Sequence, residues 1–221
     1  MNNRLFYFAL LNLLLKSCIC IESFEKNIPN YNIEELNSFR EGKKLLVLDI
    51  DNTLLDHKLV RPFLQEFLTR AYNNYDIVIW SATEMQHIRR KLEFLNAIDN
   101  PNYKIAFCLD LSAMAVIDDK HILVKPLSLI WNKYKQYSSM NTIIVDDLSK
   151  NFILNRQSGL WIKPFKKSHV NIHRDRELLK ISDYLEFIAQ VNNFQTLNHN
   201  EWEKYRIEKF KSPNVHCKRG I

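Results

Sequence analysis

From residue 44 onward, short apolar runs alternate with longer amphipathic ones. Leu45 to Ile50 is apolar except for Asp49, which suits a strand buried on both faces of a parallel sheet. Arg61-Pro62 opens a helix in which Phe63, Phe67, Leu68 and Ala71 share one stripe and proline takes the first turn. Asp76-Ile77-Val78-Ile79-Trp80 reads as a second buried strand ending at Ser81-Ala82-Thr83. Glu84 to Leu95 has helical spacing of Ile88, Leu92 and Leu95, with Thr83 as its cap. Tyr103 to Leu109 is a third strand, and Ala113 to Val124, with a weaker pattern, fits a short hairpin. Leu127 to Tyr137 reads as a helix and Thr142-Ile143-Ile144-Val145 as another buried strand, ending at Asp146-Asp147. Gly159 to Ile162 adds a further strand, Glu177 to Val191 a strongly periodic helix, and Asn200 to Phe210 a terminal one.

Repeated strand-then-helix order predicts an α/β fold: a doubly wound, Rossmann-like parallel sheet with helices on both faces. Residues 22–35 carry no strong period and read as a polar lead-in, residues 36–211 as one domain and residues 212–221 as a tail. With 3 Gly and 6 Pro in 221 residues, no flexible linker divides the chain. A core of this size needs no disulfide or metal for stability, and 46% hydrophobic against 25% charged residues excludes a disordered chain.

The net charge of +6 changes this picture little, because the charges are scattered and no run of five Lys/Arg occurs. That pattern predicts a solvated basic surface rather than a nucleic-acid face, and it also suits a phosphorylated protein partner. Cys18, Cys20, Cys108 and Cys217 match neither a zinc spacing nor a disulfide framework, and Cys108 reads as a small core residue. The seven His, including His169 and His173 four apart in a polar stretch, are assigned to the surface rather than to a metal site. Trp80, Trp131, Trp161 and Trp202 are assigned to core or cover, not to base stacking.

Arg4, the apolar stretch Leu5 to Leu15 and Lys16-Ser17-Cys18-Ile19-Cys20 have the pattern of a secretory signal peptide and are short for a membrane span. A buried or partner-binding N-terminal segment, or a start that differs from the natural one, are the other readings of residues 1–21. The absence of any Asn-x-Ser/Thr acceptor stands against secretion.

The chemistry lies where strands end. In open parallel sheets, ligands bind outside the carboxyl ends of the strands. Asp49-x-Asp51-x-Thr53, Ser81-x-Thr83, Lys125 and Asp146-Asp147 all fall at such ends or after short segments. Any one of them is explained by a turn or a cap. Together they are not, since converging carboxylates repel one another unless a cation lies between them. Oxygen-only donors, few enough to leave room for water and a phosphate oxygen, favour Mg²⁺ over Ca²⁺. No Gly-x-x-x-x-Gly-Lys-Ser/Thr loop is present, which excludes a P-loop.

Asp49-x-Asp51-x-Thr53-Leu54, Ser81, Lys125 and Asp146-Asp147 resemble the four motifs of the haloacid dehalogenase superfamily. Within it they resemble the RNA polymerase II C-terminal-domain phosphatase branch, which has an FCP1-homology domain. The likeness is closest to those members that carry an N-terminal ubiquitin-like domain. It runs through residues 40–49, 75–83 and 175–180 and covers roughly residues 36–210. It implies a magnesium-dependent protein serine/threonine phosphatase working through an aspartyl-phosphate. Asp49 is then the nucleophile and Asp51 the general acid and base. Ser81 and Lys125 bind phosphate. Mg²⁺ is held by Asp49, the Asp51 carbonyl and Asp147, with Thr53 and Asp146 in support. The implied partner is a phosphoprotein and the implied location the nucleus, with the secretory pathway as the alternative if residues 1–20 are cleaved.

Two departures from the family pattern qualify this. The segment before residue 36 is too short for a ubiquitin-like domain, so proteasome binding is not expected. Lys58-Leu59-Val60 alone separates Asp56-His57 from Arg61-Pro62, where the family has a longer loop over the site. Two rival readings are a catalytically silent binding module, as in the related mitochondrial import subunit, and a small-molecule phosphatase. The complete catalytic set stands against the first. The absence of a large cap insertion stands against the second.

Overall fold

In a computed structural model of the chain, residues 30–117, 121–166 and 168–205 are described. The expectations for residues 1–21 and 212–221 fall outside them, as does much of the terminal helix; residues 202–205 are helical.

The first strand is one that the polar pattern hides. β1 (Ile33–Glu35) is an edge strand that pairs antiparallel with residues 107–109, and the backbone N–H groups of Leu36 and Asn37 both donate to Ala106 O. Residues 33–35, expected in the lead-in, therefore belong to the sheet. Three residues with one apolar side chain carry no legible period, and pairing alone makes them a strand.

β2 (Lys44–Leu48) is buried from Leu45 on. A small hairpin follows, β3 (Leu55–Asp56) and β4 (Leu59–Val60). α1 (Leu64–Tyr72) buries Leu64, Phe67, Leu68 and Ala71. Phe63, expected on that stripe, instead precedes the helix with φ 67° and is only half-buried, so Leu64 supplies the first buried contact. β5 (Tyr75–Trp80) and α2 (Met85–Phe94) match expectation, except that Thr83 does not cap the helix. The cap position is Glu84, and no side chain caps it.

β6 (Ile105–Leu109) is followed by the hairpin of β7 (Ala115–Ile117) and β8 (Ile122–Val124). α3 (Ser128–Lys133) stops four residues short of the expected Tyr137, at Tyr134 with φ −119° and ψ 89°. Tyr137 turns inward there, and its hydroxyl donates to Asp76 (2.7 Å). β9 (Thr142–Asp146), β10 (Gly159–Trp161), the short α4 (Ser168–Asn171) and α5 (Glu177–Ile188) complete the set.

The main sheet has six strands in the order β1-β6-β5-β2-β9-β10, parallel except for β1. One face carries Leu46, Leu48, Ile77, Ile79, Ile143 and Val145 and packs against α1 and α5 side chains such as Phe67, Leu68, Leu178 and Leu185. The other face carries Leu45, Val47, Val78, Trp80 and Ile144, covered by Leu127, Ile130 and Tyr137. Both faces are therefore apolar, as a doubly wound parallel sheet requires. The chain leaves β2 in one direction toward β5 and β6 and later returns on its other side as β9 and β10. The point where the winding reverses is the β2/β9 boundary, where such sheets form a ligand crevice. No helix among the described residues is long and apolar enough to cross a membrane.

Candidate active site

β2 ends at Leu48, and the Asp49 N–H donates to Val145 O on β9 (3.1 Å), so Asp49 sits in the crevice. A tight turn follows. The N–H groups of Thr53, Leu54 and Leu55 all donate to Ile50 O, and Asn52 takes the left-handed conformation (φ 58°), one that Asn tolerates well. This turn places Asp51 beside the crevice and folds Thr53 back beneath it. The Thr53 hydroxyl donates to Asp49 Oδ2 (3.0 Å) and accepts from the Asp147 N–H (3.3 Å), linking the first motif to the last.

Lys125 arrives from outside the sheet, at the foot of the β7–β8 hairpin, rather than from a main-sheet strand. Its N–H donates to Asn151 O and its carbonyl accepts from Asn155 Nδ2 (2.8 Å). The ammonium is fully buried between two carboxylates, 2.8 Å from Asp49 Oδ1 and 2.6 Å from Asp146 Oδ2. Burial alone would push Lys125 down. The charges of Asp49 and Asp146 outweigh it and hold the ammonium above its usual range. Asp146 is itself fixed by Asn151 Nδ2 (2.9 Å to both oxygens) and the Leu148 N–H (2.8 Å). The expected pairing of Asp146 with Lys125 is thus present.

Asp49, Asp146 and Asp147 offer carboxylate oxygens that all lie within 4.8 Å of one another. Burial, reinforced by Asp146 and only partly offset by Lys125, pushes Asp49 up to about 6. Burial and the neighbouring Asp146 also raise Asp147, against the opposing charges of Lys166 and Lys125. Asp147 Oδ2 is buried with no hydrogen-bond partner. The other buried side-chain atom in that condition among the described residues is Trp80 Nε1, a donor that holds no cation. A buried carboxylate oxygen without a partner is costly unless something positive meets it. Lys125 pairs with two of the three carboxylates and leaves Asp147 Oδ2 unmet, and the oxygen donor set fits a hard divalent cation.

The opposite rim is more open. Asp51 lies half exposed, and both its oxygens accept from Lys91 Nζ on α2 (2.7 and 2.6 Å). Ser81, fully buried at the end of β5, has its hydroxyl 3.4 Å from Asp51 Oδ2 and 3.2 Å from Thr83 Oγ1. Thr83 is thus a neighbour of Ser81, not a helix cap. These contacts join Asp49, Thr53, Lys125, Asp146 and Asp147 into one buried cluster and Asp51, Ser81 and Lys91 into a second, and the tight turn after Asp49 sets the two side by side.

Lys91 and Asn151 were not singled out by sequence. Lys91 lies on the polar face of an amphipathic helix, where a lysine is ordinary, and Asn151 lies in an irregular 3₁₀ stretch. Their places depend on how α2 and the segment after β9 pack. Among the tryptophans, Trp80 and Trp202 are buried, while Trp161 is 47% exposed and donates to Asp147 O (2.9 Å) at the rim. His199 departs from its surface assignment. It is buried, its Nε2 donates to Phe194 O (3.2 Å), and its Nδ1 accepts from the Tyr184 hydroxyl (2.7 Å). Cys108 is buried as expected, which pushes its thiol up to about 12.

Residues 44–195 match the family model of NLI interacting factor-like phosphatases, and the chain belongs to that family. It is 50% identical over 196 residues to ubiquitin-like domain-containing CTD phosphatase 1 of Danio rerio, a match covering 83% of this chain and 62% of that protein. The Homo sapiens protein of the same name is 49% identical over 196 residues, with the same two shares. The chain thus spans 62% of the length of these relatives. Among solved structures it is similar to Fcp1, an essential RNA polymerase II CTD phosphatase, with 12% identity and a TM-score of 0.49 over 80% of this chain and 68% of that one. A phosphatase family of this kind implies a divalent cation, in agreement with the donor set at Asp49, Asp146 and Asp147.

Proposed function

We propose that the chain is a magnesium-dependent protein serine/threonine phosphatase that transfers phosphate to Asp49 and then to water. The observation that carries this reading is the buried cluster at the β2/β9 crevice, where Lys125 is clamped between Asp49 and Asp146 and Asp147 Oδ2 has no partner. A folded protein gains little from such a cluster unless it binds an anion and a cation together.

Asp49 attacks phosphorus in line; the new bond joins its carboxylate oxygen to phosphorus, and the bond to the serine or threonine oxygen breaks. Asp51 gives its proton to that leaving oxygen and afterwards takes one from the water that attacks the aspartyl-phosphate, freeing Asp49. For either transfer one Asp51 oxygen must release Lys91, which a half-exposed pair permits at small free-energy difference. Ser81 donates to a phosphate oxygen, and Lys125 holds Asp49 in place and adds positive charge at the same point. Asp49, Asp147 and the Asp51 carbonyl would hold Mg²⁺, which would supply charge neutralisation there. Thr53 and Asp146 keep Asp49 and Lys125 oriented.

The substrate is a phosphoprotein, such as a phosphoserine-bearing repeat of the RNA polymerase II C-terminal-domain type. The hairpin of β3 and β4 is short and Asp51 is half exposed, so an extended peptide can reach the crevice. A nuclear place of action follows the same reading, from relatives named as CTD phosphatases. The test is turnover of a phosphoserine-peptide panel with Mg²⁺ and with chelator, using Asp49→Asn as control. Turnover should be absent in the variant and in chelator. Hydrolysis by folded Asp49→Asn at the wild-type rate would refute the nucleophile, and undiminished turnover in chelator the metal.

A further inference from the structure

Beside the catalytic turn lies a cavity of about 420 Å³, walled by residues 163–166 and by the start of α5. Lys163, Lys166, Arg174, Arg176 and Lys180 line it. Its two carboxylates are already engaged. Asp175 accepts from Arg61 (3.1 and 3.0 Å), and Glu177 accepts from Lys180 (2.6 Å). Lys163 and Arg174 are exposed, and among the described residues neither has a carboxylate at ion-pair distance. The cavity therefore carries a clear excess of positive charge.

This cavity and the Asp49 site share a wall. The Phe165 N–H donates to Asn52 O (2.7 Å), in the turn just after Asp51. The buried Arg61 guanidinium donates from Nη1 to Thr53 O (3.0 Å) and from Nη2 to Lys163 O (2.7 Å). Arg61 thus holds the catalytic turn and the cavity wall as one unit, and its charge is spent on Asp175. A peptide whose phosphorylated residue enters the crevice can lay its flank over the basic cavity.

We propose that this cavity is an anion subsite for the flank of a phosphopeptide substrate, taking a second phosphoryl group or a carboxylate side chain through Lys163, Arg174 and their basic neighbours. The proposal rests on the phosphatase reading of the Asp49 site and deepens it: the preferred substrate is a peptide anionic beyond the residue that is dephosphorylated. Concave placement and unpaired cations favour a side-chain-sized anion over a bulk polyanion, and long-range attraction adds to capture.

The test measures binding in the full chain carrying Asp49→Asn, so that peptides survive. The probes are a phosphoserine peptide with neutral flanks, and the same peptide with Glu or a second phosphoserine at successive flanking positions. At one or more positions the added anion should tighten binding about tenfold, the effect of two modest charge pairs. Adding Lys163→Ala and Arg174→Ala should remove that gain and change the affinity for the neutral-flanked peptide by less than about twofold. Both side chains lack hydrogen bonds among the described residues, so the fold should persist, checked by circular dichroism. A gain with both anions marks a general anion subsite, and a gain with phosphoserine alone marks a phosphate subsite. No gain at any position, or a gain that survives the double substitution, overturns the proposal. Failure of wild-type protein to hydrolyse any of the peptides would sink the phosphatase reading, while the binding comparison would still decide the subsite.

Discussion

Buried aspartates lie at both ends of the parallel sheet, and they are built differently. Asp76 is the second residue of the buried strand β5, at the end away from the crevice, with 2% of its surface exposed. Its two oxygens accept from Arg40 N (3.0 Å), Arg40 Nε (2.8 Å) and the Tyr137 hydroxyl (2.7 Å). Nothing there is left to bind. At the crevice, Asp147 is about as buried, yet its Oδ2 has no partner, and the buried Lys125 pairs with Asp49 and Asp146 instead. A structural carboxylate is saturated by its own chain, whereas a binding one keeps an unmet valence.

The largest expected effect comes from removing the shared counter-charge. Lys125→Met should leave Asp49 and Asp146 buried without their cation, destabilise the fold by about 3–5 kcal/mol and abolish turnover. Urea unfolding checks the first and peptide hydrolysis the second. An unchanged unfolding midpoint would show that the crevice carboxylates do not depend on Lys125. At the other end, Asp76→Ala should destabilise by about 3 kcal/mol, because Arg40 and Tyr137 lose their acceptor. Turnover per folded molecule should stay near wild type. A loss of turnover out of proportion to the loss of folded protein would erase the distinction between the two ends.

The smallest effect concerns pH. Without a cation, burial holds Asp49 at about 6, above the ordinary 3.8, so the folded chain retains a proton that the unfolded chain has released. That contribution to stability is present below pH about 4 and is lost as pH rises through about 6. Cation binding needs the ionised carboxylate, so Mg²⁺ affinity should weaken by about tenfold per pH unit below pH 6. Titration calorimetry between pH 5 and 8, a window chosen about the cited value, measures it. A flat profile would mean that Asp49 is not a ligand.

Of the fold, the parallel strands and α1, α2 and α5 were legible because their apolar periods match the burial they adopt. β1 was not, since an edge strand of Ile33-Glu34-Glu35 is created by its partner Phe107-Cys108-Leu109. The early stop of α3 was also hidden, because the packing of Tyr137 on Asp76 competes with helix continuation. His199 has no local signal at all; its burial depends on Phe194 and Tyr184 closing over it. Of the candidate site, Asp49, Asp51, Ser81, Lys125, Asp146 and Asp147 stood out in the sequence because polar residues at or just after the ends of buried strands or a hairpin are conspicuous.

The linear pattern alone dictates an α/β sheet with carboxylates at its strand ends, because buried strands tolerate charge only where they terminate. Which strands become neighbours is a tertiary outcome. Only the return of β9 beside β2 brings Asp147 to Asp49, and only the packing of α2 lets Lys91 reach Asp51. Contact between residues far apart in sequence depends on chain reversals and helix rotation, and neither leaves a period in the sequence.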